Sequence, residues 1–457
     1  MKTLFQSFAL VFRLRGEIDL SAAGNDETRM TNDESMTHVP MIRWPTIAEI
    51  WFGLGHSSFI RHSSFWFRHS FCPNICFCLL ASLAPAGIAA PPAITPSPPD
   101  ISYQKLFGTW ALDPSGFQLG FDINSSALSS KWAVVGAGSA ADRGRANEGA
   151  VQVYNAATGA WMRKLLPPGA PAADQRFGDA VALSGDTLLV GADAGGVGKG
   201  AVYVYNLATG ALLRTLTATG SAVGDYVGFS VAVSGNVAAV GAYGDSAQKG
   251  AVYLFNLTTG AQTAKIVAAA GVGGDVFGYS LAVEGNILAI GAPFDSGDRG
   301  AVYFHDLSTQ VFIKKYQPSS SVVADHVGST VAMHQGRVVV GTLASVGDPA
   351  KKVFITDVVV PLDQQLAPPA SVGPSFGFNV AISGPLIAVG DRSNGHGRVH
   401  LYSAFDGSFI RTILPPNGDQ VAQRLGVSLA LTGNTLLVGA SNDRTQTTNV
   451  NGQSGAA

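Results

Sequence analysis

The chain has 457 residues, 46% hydrophobic and only 13% charged, with 55 glycines, 23 prolines and a formal net charge of -2. That balance excludes a largely disordered chain, and with no long basic block it argues against phosphate backbones and anionic lipid, so nucleic acid is not an expected partner. Abundant Gly and Pro between short apolar runs fit strands joined by tight turns, as two or three domains or as one large β-architecture.

Residues 1–66 show no sustained helix or strand period and repeat themselves crudely, with His-Ser-Ser-Phe beginning at His56 and again at His62. They read as a mis-assigned or disordered leader, with translation starting downstream of Met1, for instance at Met41. Residues 67–90 read as a secretory signal: Arg68 and His69 precede an apolar run from Ile75 to Leu83, and cleavage is expected after Ala86 or Ala89. The run is short for a membrane span and contains Pro85, so no span is expected in the mature form. Cys72, Cys76 and Cys78 all lie in it. Removal with the signal outweighs a metal or thiol site and leaves a mature chain without cysteine, which suits an exported bacterial protein. His56, His62 and His69 mimic a metal cluster, but chance in a low-complexity stretch explains them better. Residues 91–100 read as a Pro-rich linker.

From residue 101 to 457 the chain repeats. Glycines preceding similar apolar strands fall at Gly120, Gly178, Gly228, Gly278, Gly328, Gly377 and Gly426, spaced by 58, 50, 50, 50, 49 and 49 residues. Seven copies of about fifty residues, each carrying strand signals, have the length of propeller blades. In the third copy "GFSVAVS", the turn Gly235-Asn236, "VAAVGA", "GAVYLFN", the turn "LTTG" and "AQTAKIVAA" spell four strands in meander order. Equivalent turns stand at Gly185-Asp186, Gly285-Asn286, Gly384-Pro385 and Gly433-Asn434, where the pair accepts the positive φ of two-residue hairpins. The Val/Ala/Leu-rich first two strands of each copy read as buried on both faces.

These residues carry a family resemblance. Phe277-Gly278 with Gly291-Ala292-Pro293 resembles the Phe-Gly and Gly-Ala-Pro signatures of FG-GAP repeats, which form the seven-bladed β-propeller of integrin α chains and of many bacterial exported proteins. Other copies match in part: Phe177-Gly178 with Gly191-Ala192-Asp193, Val227-Gly228 with Gly241-Ala242-Tyr243, Phe376-Gly377 with Gly390-Asp391, and Leu425-Gly426 with Gly439-Ala440. The fifth diverges most, with Gly341-Thr342 and no "GAVY" strand. The expected fold is therefore all-β, a seven-bladed propeller of four-stranded antiparallel blades over residues 101–457. Ile101 to Trp110 should supply the outer strand of the last blade. "SGAA" at 454–457 stands where a third strand would begin, so that blade is expected to be incomplete at the C-terminus, with a third-strand gap.

Several motifs mimic chemistry. Gly136, Gly138 and Ala141 match a dinucleotide fingerprint, but a polar loop follows where a pyrophosphate-binding helix is required. Ser246 and Lys249 have Ser-x-x-Lys spacing in an inter-strand loop, where the required helical turn is missing. The resemblance implies calcium loops between first and second strands, yet those loops are two-residue turns such as "EGN", too short to wrap a cation. No cofactor or metal is expected. Asp193, Asp245, Asp295 and Asp298 follow second strands, and Asp225, Asp275 and Asp325 recur three residues before the repeat glycine. Turn capping explains such residues better than a metal site. They remain the candidate ligand-binding residues of the loop face. His305, His326, His334, His396 and His400 show no metal-ligand spacing on a helix. Alternating Tyr203/Tyr205, Tyr253/Phe255 and Tyr303 favour packing between blades over sugar stacking.

Meander order puts the tight turns on one face and the longer, variable loops on the other, where binding usually resides. The reading is a monomeric, secreted or cell-surface binding or adhesion module for a protein or glycan, without catalysis. The alternative is a carbohydrate-active enzyme or lectin-like protein using the loop face or the central channel.

Overall fold

The computed structural model describes residues 6–14, 101–106 and 125–443, apart from 141–142, 144, 171, 195–196, 344–351, 371, 374, 393–396 and 415–423; for 6–14, 101–106 and 441–443 only the backbone is described. The signal-like segment, the linker, the three cysteines, Gly120, His396 and the C-terminal "SGAA" lie outside these residues. The protein is an all-β propeller. Six blades, covering 126–165, 180–216, 230–266, 280–316, 327–365 and 376–413, are each built from four consecutive antiparallel strands.

In the second to fourth blades burial is greatest in the second and third strands and least in the outer strand, as the composition of the strands requires. In the third blade the second strand, Val237–Ala242, is buried at every position but its first, while Gln262–Ile266, the outer strand, alternates between half-buried and exposed until its buried last residue, Ile266. The hydrophobic core is not one mass but a set of seams, each drawn from two neighbouring sheets. Val202, Val204 and Leu189 of the second blade meet Val231, Val240, Tyr253 and Phe255 of the third. Tyr253 and Phe255 are 0% and 1% exposed, so the alternating aromatics do pack between blades. A further seam sets Leu437 from the last repeat against Ala133, Val135 and Tyr154 of the first blade and so joins the two ends of the repeat array.

The two-residue turns form as their glycines allow. Ser234 pairs with Val237 across Gly235-Asn236, and Gly235 has φ +54 while Asn236 keeps negative φ. Only the first turn position needs the left-handed region, which is why Pro385 is accepted at the second in the sixth blade. The fifth blade solves the same corner differently, with both Gln335 (φ +50) and Gly336 (φ +78) left-handed.

The last repeat supplies two strands among the described residues, Leu425–Thr432 and Thr435–Asp443. The third position, expected to be a gap, is occupied: Gln6–Leu14 pairs antiparallel with Thr435–Asp443, Leu10 opposite Val438. Ile101–Leu106 pairs on its other side, Phe12 opposite Tyr103, as the outer strand that the sequence predicts. This composite sheet thus has four strands drawn from both ends of the chain. The correction has a simple cause. An extended apolar segment satisfies the backbone groups of a slot whether or not it carries the repeat signature, and residues 6–14 do so from within the segment read as a leader. The fifth blade likewise keeps a third strand, Val353–Asp357, without its "GAVY" signature.

Candidate binding face

The signature glycines are interblade fasteners. Gly278 has φ +89, and a Cβ there would lie 2.6 Å from the Ala251 carbonyl oxygen of the preceding blade, closer than any side chain tolerates. Its own carbonyl accepts a hydrogen bond from Ser230 Oγ at 2.7 Å, and its N–H donates to Gly291 O at 3.0 Å. Phe277 is fully buried and forms a parallel bridge with Gly250. The next seam repeats the arrangement, with Ser280 Oγ donating to Gly328 O at 2.7 Å. The Phe-Gly and Gly-Ala-Pro residues therefore join neighbouring strands and leave the loops beyond them to vary.

Most of the predicted acidic residues are engaged within that scaffold. Asp225, Asp275 and Asp325 are buried and accept hydrogen bonds from the backbone N–H of Ala222, Val272 and Val322, at 2.6, 2.7 and 2.7 Å, as turn caps. Asp325 also takes Lys352 Nζ at 2.7 Å. Asp245 is 2% exposed and holds Tyr253 Oη at 2.6 Å, Ser246 Oγ at 2.6 Å and Lys265 Nζ at 2.8 Å. Asp295 repeats the set with Tyr303, Ser296 and Lys315, the lysine at 2.6 Å. Burial pushes both carboxyls up, but the hydrogen bonds from lysine, serine and tyrosine outweigh it and hold both below the ordinary carboxylate value. These triads anchor left-handed turns, Ser246 to Gln248 and Ser296 to Asp298, whose last carbonyls face the next interblade loop. Gln248 O accepts from Gly274 and Val276, and Asp298 O from Ala324 and His326. Of the seven predicted residues only Asp298 has an exposed side chain. Asp193 is fully buried, 3.8 Å from Arg176, which also pairs with Asp179 at 2.8 Å.

Two motif look-alikes take the places the strand reading gave them. Gly136 sits inside the strand Trp132–Ala137, and Ser246 lies in the left-handed turn rather than on a helix. His305 and His400 are buried in third strands, and His326 Nδ1 meets Leu343 O at 2.5 Å. Among the described residues no group of three or more His, Cys, Asp or Glu converges as a metal site. No helix among them is long and apolar enough to cross a membrane.

What the sequence reading missed lies at the axis. One cavity of about 280 Å³ is lined by innermost strands of all seven sheets, among them Ser126, Val181, Val231, Leu281, Val331, Asn379 and Leu429. Each innermost strand begins on the loop face, so the residue after each repeat glycine stands at the mouth of this channel. In the third and fourth blades those residues are Phe229 and Tyr279, with ring centroids 5.0 Å apart. Tyr243, just past the second strand, meets Phe229 at 4.6 Å edge to face and stacks on Tyr226 at 4.7 Å. In the sixth blade Arg392 lies over the Phe378 ring at 3.7 Å. Burial first, and then the like charge of Arg424, pull the Arg392 guanidinium below its usual value. The signal for this cluster was available as a column of the repeat: Asp179, Phe229, Tyr279, Ser329, Phe378 and Val427.

The FG-GAP repeat family matches residues 162–205, 213–255 and 261–304, and the chain carries FG-GAP repeats there. Each match runs from the outer strand of one blade through the third strand of the next, so the sequence repeat straddles the seam. No curated protein matches the chain.

Proposed function

We propose that the protein is an exported binding module, secreted or held at the cell surface, that recognises a protein or glycan through its loop face and performs no catalysis. The carrying observation is the division of labour within the repeats. Glycines and buried Tyr–Asp–Lys triads hold the blades, while the column after the repeat glycines changes from acid to aromatic to hydroxyl to apolar around the axis, with Arg392 lying over one of its rings. Side chains free to vary on a rigid frame are how propellers acquire different ligands. The FG-GAP repeats and the signal-like segment 67–90 support export. In this reading six contiguous blades and the composite sheet make one seven-bladed ring, closed by strands from both chain ends.

The test is a glycan array together with a pull-down, both using the purified full chain. Retention of a defined ligand, lost when Tyr279 and Phe229 are changed to Ala but kept when the opposite-face Lys131 is changed to Gln, is the expected result. Turnover of any member of a polysaccharide panel would replace the non-catalytic reading.

A further inference from the structure

The channel mouth is chemically lopsided. Arg392 lies after the second strand of the sixth blade, and Arg424 immediately precedes the innermost strand of the next sheet. The two strand ends are in contact, since a Cβ on Gly426 would lie 3.2 Å from Gly390 Cα. Two cationic side chains therefore leave neighbouring backbone positions, and among the described residues neither has a carboxylate partner. Like charges at short range repel, and an anion seated between them relieves both. Guanidinium forks are matched to a carboxylate, which they hold bidentately.

Two further features say what bears the carboxylate. Tyr279 and Phe229 form a partly open aromatic wall opposite the arginines, and such walls stack on flat apolar faces, including those of sugar rings. Beneath them Asn379 is 2% exposed, lines the cavity, and has no hydrogen-bond partner for Nδ2. At the equivalent positions Ser230 and Ser280 donate to the neighbouring blade, whereas Thr330 and Ser428 are unmatched like Asn379, which alone among them offers an amide N–H. A buried unmatched donor costs about 1–3 kcal/mol, which a ligand hydroxyl recovers. The cavity is lined by Asn379 but by none of Arg392, Arg424, Tyr279 and Phe229, so the ligand is placed over its mouth rather than inside it.

We propose that the loop-face mouth of the axial channel binds an acidic sugar ring, a uronate. Arg392 and Arg424 hold its carboxylate, Tyr279 and Phe229 cover one face, and Asn379 donates to a ring hydroxyl. This rests on the binding-module reading and names its ligand class. Calorimetric titration of the full chain with trigalacturonate and with a neutral hexose trisaccharide, at low and high salt, tests it. Expected are saturable uronate binding that weakens with salt and at least about tenfold weaker binding of the neutral sugar. Arg392→Gln and Arg424→Gln should each weaken uronate binding by at least about tenfold, and Arg392→Lys by less. Tyr279→Ala should weaken it too, whereas Lys131→Gln on the opposite face should not. Unchanged melting temperatures show that the variants fold. No uronate binding, equal affinity in Arg392→Gln, or tighter binding of a glutamate-rich peptide would overturn the proposal. Another ligand retained independently of Arg392 would overturn it while leaving the module reading in place, and a chain that retains no ligand of any class would remove both.

Discussion

Replacing Gly278 by alanine separates two reasons for a glycine, because Gly285, seven residues later, has only one of them. Gly285 is left-handed (φ +56) with nothing within 4 Å of a prospective Cβ. Alanine there meets the left-handed penalty of about 1–2 kcal/mol, offset by about 0.5–1 kcal/mol from a less flexible unfolded chain. Gly278 adds a contact at 2.6 Å with the Ala251 carbonyl and another at 3.2 Å with Val252 Cγ2. Opening that seam to van der Waals distance means parting the third and fourth blades by several tenths of an ångström, at a cost of about 1–3 kcal/mol. It also stretches the Ser230–Gly278 bond of 2.7 Å, which contributes about 1 kcal/mol. Gly278→Ala should therefore cost about 3–5 kcal/mol, and Gly285→Ala about 1 kcal/mol or less. For a ring of this size that is a fall in melting temperature of about 5 °C against about 1 °C. Differential scanning calorimetry at neutral pH reads both. Equal falls, or a Gly278→Ala protein melting with wild type, would refute the fastener account of the signature.

Three other outcomes follow from the same geometry. The Asp295 carboxyl titrates below its unfolded value, so its stabilisation is complete above about pH 4 and disappears as pH falls through the lower folded value. Asp295→Asn should cost about 1–3 kcal/mol at neutral pH and flatten the acid limb of the urea-unfolding profile; an unchanged acid limb would count against the triad. His305 is 6% exposed between Phe277 and Phe312, both ring nitrogens lack partners, and burial lowers its pKa. Stability it confers as a neutral ring is present above about pH 6.5 and lost as pH falls through its depressed folded value. His305→Phe, which copies Phe255 of the third blade, should make melting less pH-dependent between pH 5 and 7, and an identical pH profile would exclude it. Deleting residues 1–16 leaves an unpaired edge on Thr435–Asp443 and should lower the melting temperature, deprotect the amides of 435–443 in hydrogen exchange and promote aggregation. Unaltered exchange there would show that Gln6–Leu14 does not fill the slot in solution.

The propeller was legible because its requirements are local and repeated. A Gly at each hairpin corner, a continuous apolar second strand and a fifty-residue period all belong to one copy and recur in the next. The third strand of the composite sheet was not, because its pairing joins residue 10 to residue 438 and nothing local in "QSFALVFRL" marks the partner. Long-range strand pairing is specified by a vacancy elsewhere, which a linear reading cannot see. The mouth was hidden for a related reason. Phe229, Tyr279, Phe378 and Arg392 are distant in sequence and differ in type, and only the topology makes them neighbours. The acidic residues were the opposite case, conspicuous by recurrence and, Asp298 apart, used up in holding turns and blades.

The fifth blade shows why recurrence and function part company here. It has lost the "GAVY" glycine and the Gly-Ala-Pro ending, yet Thr342 Oγ1 hydrogen-bonds both the carbonyl (2.9 Å) and the N–H (3.1 Å) of Lys352. Lys352 in turn reaches Asp325, the turn-capping acid, where in the blades before it Lys265 and Lys315 reach Asp245 and Asp295. The requirement preserved is a buried acid with a lysine partner at the seam, and either of two aspartates meets it. A scaffold that tolerates such exchanges constrains its signature residues only through backbone space and hydrogen bonding. In the axial column Asp179 and Ser329 are buried and paired in the same way, whereas Phe229 and Tyr279 are half-buried and make ring contacts instead. Changes at those two rings alter what the mouth can hold without loosening a seam, so substitutions that redirect binding should leave melting unchanged, and substitutions that lower melting should lie in the seams.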